Sequence, residues 1–160
     1  MCLKSESGGG SGALIAKRLE HRGRTVFLAD TFSGVVKAAD NDSKYLGGEP
    51  SDVSISQVKG FLLDMHVKNV VILSGIFPDD TGHRILGPLA LVHIDEDVYQ
   101  SAKEVLAFAL PRLSPGAIVI FDDYGFSGCE GVTKLVNELS GNPNWTFIHN
   151  LNRHAIFILR

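Results

Sequence analysis

Apolar positions along the chain fall into short continuous runs separated by amphipathic stretches. The runs Thr25–Asp30, Asn69–Leu73, Leu89–Ile94 and Ala117–Phe121 are rich in branched and aromatic residues and predict strands buried on both faces. Between them, apolar residues recur near helical spacing: Leu14, Ile15 and Leu19 in a helix from Ala13 to about His21, and Val58, Phe61, Leu62 and Met65 in one from Val53 to about His66. Ser54 or Ser56 can cap the start of the second helix. Ser101 to Leu110 reads as a helix stopped by Pro111, and Glu130 to Leu139 as another. The last two apolar runs, Trp145–His149 and Ala155–Leu159, flank a tight turn near Asn150 to Arg153 and predict a hairpin.

Strict alternation of strand and helix predicts an α/β fold: a doubly wound, mainly parallel sheet with helices on both faces and an antiparallel C-terminal hairpin. A polar, glycine-bearing segment from Ser33 to Pro50 interrupts the pattern and reads as a long functional loop.

A length of 160 residues fits one domain covering 1–160. With 44% hydrophobic residues, 21% charged residues and a net charge of -3, the chain has a globular composition and no basic excess for nucleic acid. No apolar run approaches the roughly 20 residues that span a bilayer, and the start has no signal-peptide pattern. The expectation is a cytoplasmic protein with no membrane or nucleic-acid partner. Cys2 and Cys129 are too few for a disulfide framework or a cysteine-rich zinc site.

In open α/β sheets, ligands bind beyond the carboxyl ends of the strands. Asp30, Asp95 and the pair Asp122-Asp123 all stand at predicted strand ends. Adjacent carboxylates repel, and a hard cation such as Mg2+ relieves that repulsion. The alternative is that Asp122 or Asp123 caps the turn through Tyr124-Gly125. Asp97, two residues beyond Asp95, can face the same pocket as a general base or cap the following helix, while Glu96 points elsewhere on an extended backbone. Gly8 to Gly12 feeds a helix start, where backbone amides can meet an anionic group; a flexible terminus is the other reading. Asp30 can hold ribose hydroxyls or serve as an exposed turn acid. Of the six histidines, only His93 is expected in the crevice.

The run Leu91-Val92-His93-Ile94-Asp95-Glu96-Asp97-Val98-Tyr99-Gln100-Ser101-Ala102-Lys103 resembles the macrocin O-methyltransferase family. The resemblance continues through Pro111 to Gly116 and Phe121-Asp122-Asp123-Tyr124-Gly125-Phe126, and upstream through Leu28 to Val35 and Gly75-Ile76-Phe77-Pro78. It implies a class I methyltransferase sheet and methyl transfer from S-adenosylmethionine to a hydroxyl of a small molecule, usually a sugar of a secondary metabolite, assisted by Mg2+. By position, Asp95, Asp122 and Asp123 would bind the metal and Asp97 would be the base. Asp30 would contact the ribose, and the Gly9-Gly10-Ser11 turn the methionine end of the methyl donor.

The family has an apolar first strand before the glycine turn, whereas only Met1 to Ser7 precede it here. Either Met1 to Lys4 forms a stub strand, or the first strand is missing and the chain is a non-catalytic remnant with an open edge for homo-oligomer formation. A catechol-type methyltransferase is the nearer enzyme alternative. A nicotinamide-dependent reductase lacks its complete glycine fingerprint here.

Overall fold

The computed structural model describes residues 1–5, 10–47, 49 and 53–160. Its strands are β1 (Cys2–Ser5), β2 (Val26–Asp30), β3 (Val70–Ser74), β4 (Leu89–Ile94), β5 (Leu113–Phe121), β6 (Trp145–Asn150) and β7 (His154–Leu159). Its α-helices are α1 (Gly10–Leu19), α2 (Ile55–Asp64), α3 (Tyr99–Ala109) and α4 (Glu130–Ser140). The described strands form one sheet in the order β3-β2-β1-β4-β5-β7-β6, parallel except at β7 and β6. No helix among the described residues is long and apolar enough to cross a membrane.

The stub-strand alternative is the one realised. β1 is only 4 residues long, yet it occupies the centre of the sheet, with Leu3 opposite Phe27 on one side and Val92 on the other. The edge through which self-association was expected is therefore filled.

Alternation along the strands divides the core into two layers. Cys2, Val26 and Leu28 pack with Ala13, Ala16, Val58 and Leu62 beneath α1 and α2. Leu3, Phe27 and Ala29 face the opposite layer, where α3 and α4 contribute Val105, Val132 and Val136. Gly12 lets α1 approach β2 closely, because a Cβ there would lie 2.5 Å from Leu28 Cδ2. The helix α2 begins with a capping box, in which Gln57 N donates to Ser54 Oγ and the Gln57 side chain accepts from Ser54 N.

Strict helix–strand alternation fails between β3 and β4. The chain from Gly75 to Pro88 crosses with a short 3-10 turn at Gly82–Arg84 and no α-helix. Its glycines and prolines are poor helix formers, and Asp80 Oδ2 instead accepts the Ile76 N–H at 2.8 Å. Phe77 is buried edge-on against Phe108 of α3, at 4.9 Å between ring centroids, and covers the sheet there.

The loop after β2 is docked on α3 and α4. Asp42 is the pivot: buried, it accepts Tyr99 N at 2.9 Å through Oδ1 and Ala39 N at 3.1 Å through Oδ2. Ser101 Oγ donates to Val36 O, Lys37 pairs with Glu104 and Asp79, and Ser43 Oγ donates to Glu130. Gly131 makes room for this contact, since a Cβ there would fall 2.2 Å from Asp42 Oδ1. Replacing Asp42 with Ala strips the first turn of α3 of its acceptor and should lower stability by about 1–2 kcal/mol. An unchanged urea midpoint in Asp42→Ala would show that the loop merely rests on the helices.

Candidate functional site

The parallel strands β1, β2, β4 and β5 all end on the same edge, and that edge is acidic. Asp30 ends β2, Asp95 to Asp97 follow β4, and Asp122-Asp123 follow β5. Asp122 N donates to Ile94 O at 2.9 Å, which extends the β4–β5 pairing by one residue and brings the two acidic segments together. The carboxylate oxygens of Asp95, Asp122 and Asp123 come within 4.8 Å of one another, and all three residues are partly exposed.

The turn-capping reading of the aspartate pair is realised. Asp123 takes a left-handed conformation with φ 56, and its N–H donates to Asp122 Oδ1 at 2.9 Å, so Asp122 does cap the turn. The turn is what points both carboxyls into the crevice. Burial raises the pKa of Asp123 from the usual carboxylate value, followed by repulsion from Asp122, Asp95 and Asp97, with Arg153 opposing.

The local counterion comes from β1. Lys4 is fully buried, and its Nζ donates to Ser5 O at 3.1 Å and to Asp95 Oδ2. Burial raises the pKa of Asp95, and the Lys4 ammonium opposes that rise. An isolated ammonium would not tolerate this depth, so the pair must form together. Glu96 lies within electrostatic reach of Lys4, Asp30 and Asp95, and desolvation pushes its pKa up to about 7.

Asp97 does not cap α3, whose first N–H is taken by Asp42. It lies instead beside Asp123, and Cys129 Sγ donates to its Oδ1 at 3.5 Å. Asp30 stands apart from the carboxylate cluster, two strands away from Asp95, with its Oδ1 accepting Phe32 N at 2.7 Å. Gly10 and Ser11 form the exposed first turn of α1, and a Cβ at Gly10 would meet nothing within 4 Å. Gly9 lies outside the described residues.

An all-oxygen set of three mutually close, partly exposed carboxylates fits Mg2+, which takes few protein ligands and keeps water in its remaining positions. Sequence reasoning missed Lys4, whose charge in a short run reads as a surface residue. It also missed His154, whose Nε2 lies 3.2 Å from Asp122 Oδ1. His93 is in the crevice as expected and is buried. Burial, then Lys4, lowers its pKa to about 4, so its imidazole is neutral.

The Lys4–Asp95 pair has a direct test. Lys4→Met leaves Asp95 without its buried partner and should cost about 3 kcal/mol in urea unfolding, while Lys4→Met combined with Asp95→Asn should recover most of that loss. A single variant as stable as the parent would mean that Asp95 does not depend on Lys4.

Comparison with known proteins identifies relatives of the chain. The family model of macrocin O-methyltransferase (TylF) fits residues 8–142. Mycinamicin III 3''-O-methyltransferase of Micromonospora griseorubida is 34% identical over 129 residues, covering 72% of this chain and 50% of that relative. The 8-demethyl-8-(2,3-dimethoxy-alpha-L-rhamnosyl)-tetracenomycin-C 4'-O-methyltransferase of Streptomyces olivaceus is 30% identical over 158 residues, covering 83% of this chain and 59% of that relative. The chain thus spans about half the length of the curated relatives it matches. The solved structure of the O-methyltransferase NovP superposes with a TM-score of 0.82 at 22% identity, covering 99% of this chain and 71% of that one, a likeness of fold. With its sheet order, its acidic strand ends and the match over residues 8–142, this chain belongs to the macrocin O-methyltransferase family.

Proposed function

We propose that residues 1–160 act as one methyltransferase domain that transfers a methyl group from S-adenosylmethionine to a hydroxyl on a sugar of a small secondary metabolite, with Mg2+ at Asp95, Asp122 and Asp123. The observation that carries the reading is the meeting of these three carboxylates, with Asp97 beside Asp123, at one end of the sheet. The names of the two curated relatives, a 3''-O-methyltransferase and a 4'-O-methyltransferase whose substrate name includes a rhamnosyl group, support the acceptor class.

The roles follow from placement. Asp30, oriented by the Phe32 N–H, is suited to accept from ribose hydroxyls of the methyl donor. Gly10 and Ser11 present backbone amides at the start of α1 to the donor's carboxylate end, a role the sequence also gives to Gly9. When bound, Mg2+ supplies positive charge that orients the acceptor hydroxyl and lowers its pKa. S-adenosylmethionine would supply the methyl group and become S-adenosylhomocysteine, and Asp97 would take the proton that the acceptor hydroxyl loses on methylation. Much of the acceleration comes from holding oxygen and methyl in line.

Calorimetry with S-adenosylmethionine, with and without Mg2+, tests the reading, and absence of binding under both conditions would overturn it. Asp97→Asn should retain donor affinity while turnover on a sugar-bearing acceptor falls by about 10²–10⁴. Weakened donor binding in that variant would contradict the role of base.

A further inference from the structure

Asp122 faces two groups of side chains. One is the carboxylate cluster already described. The other consists of two histidines: a ring nitrogen of His93, a ring nitrogen of His154 and an oxygen of Asp122 all lie within 4.8 Å of one another.

The pleat builds this second group. His93 on β4 pairs in register with Ile120 on β5, and Ile120 pairs with Ile156 on β7. Alternation carries that face two residues onward from Ile120 to Asp122 and two residues back from Ile156 to His154. The three side chains therefore leave three adjacent strands on one face, at the ligand-binding edge. His154 and Asp122 are already in contact at 3.2 Å.

Two features single this group out from an ordinary ion pair. First, His93 is 8% exposed, and its buried Nδ1 has no hydrogen-bond partner. An unsatisfied buried polar atom costs about 1–3 kcal/mol, so the His93 imidazole keeps coordinating capacity unspent beside two further donor side chains. Second, Asp122 belongs to both groups, with its Oδ1 3.2 Å from His154 Nε2. Asp122 is thus the carboxylate of the cluster that is shared with the histidines.

We propose that His93, Asp122 and His154 form a second cation position that takes a first-row transition ion of the Zn2+ or Co2+ class. Two imidazoles and one carboxylate are the donor set such ions favour, with a fourth position open to water or substrate oxygen, whereas Mg2+ favours the all-oxygen cluster across Asp122. Zn–N and Zn–O bonds of about 2.0–2.2 Å require the ligand atoms to draw together by roughly 1 Å, within reach of side-chain rotation. The position shares Asp122 with the proposed Mg2+ cluster but draws both of its nitrogen donors from outside it.

The test is a titration of the metal-free, untagged chain with Co2+, followed by visible absorption, with Zn2+ competition for affinity. The expected result is one equivalent bound with the strong ligand-field absorption of four-coordinate, nitrogen-ligated Co2+. His93→Ala and His154→Gln should each abolish that absorption and weaken Zn2+ binding at least tenfold, while Asp95→Asn and Asp123→Asn preserve both. Only the weak absorption of octahedral, oxygen-ligated Co2+, no binding at all, or absorption indifferent to the histidine variants would overturn the proposal. Mg2+ calorimetry on the same variants separates the two positions: loss in Asp95→Asn but not in His154→Gln reports on the carboxylate cluster alone. Because His154 is partly exposed, His154→Gln remains informative if His93→Ala fails to fold.

Discussion

Parallel strands that all end on one edge gather whatever charge their last residues carry, and in this chain the charge is negative. Asp95, Asp122 and Asp123 stand close enough that repulsion and desolvation raise the pKa values of Asp95 and Asp123. Lys4 answers part of this from inside the sheet, reaching along β1 to Asp95. A central strand only 4 residues long thereby does two things: it fills the gap between β2 and β4, and it delivers a cation to the acids those strands expose. A bound divalent cation, as proposed, would supply the rest of the compensation.

The layers around the sheet serve that edge. Gly12 seats α1 on Leu28, which holds the exposed first turn at Gly10 and Ser11 beyond the end of β1. Across the sheet, Asp42 and Gly131 lock the loop after β2 onto the starts of α3 and α4. That contact also releases Asp97 from helix capping and leaves it beside Asp123. A structural carboxylate in one loop thus frees a chemical one in the next.

Much of this was legible in the sequence because strand and helix periodicities are local. β4 spans the residues its apolar run predicts, and the acids stand where strand ends must put them. The crossover from β3 to β4 was not legible as an exception to alternation, since its proline and glycine content says only where a helix fails. The loop after β2 read as open because its anchors, Asp42 to Tyr99 and Lys37 to Glu104, pair residues far apart in sequence. Lys4 and His154 were missed for the same reason: their meaning comes from partners on other strands, and a lysine beside Leu3 or a histidine in a hairpin carries no local sign of them.

The acidic edge, as proposed, is completed by a cation. Thermal unfolding with increasing Mg2+ measures this directly, because an ion that binds only the folded chain stabilises it by mass action. At a Mg2+ concentration about a hundredfold above its dissociation constant, the midpoint should rise by roughly 5–10 °C. The combined Asp122→Asn and Asp123→Asn variant should show no such rise. A midpoint indifferent to Mg2+ in the parent chain, or an equal rise in the variant, would contradict the account.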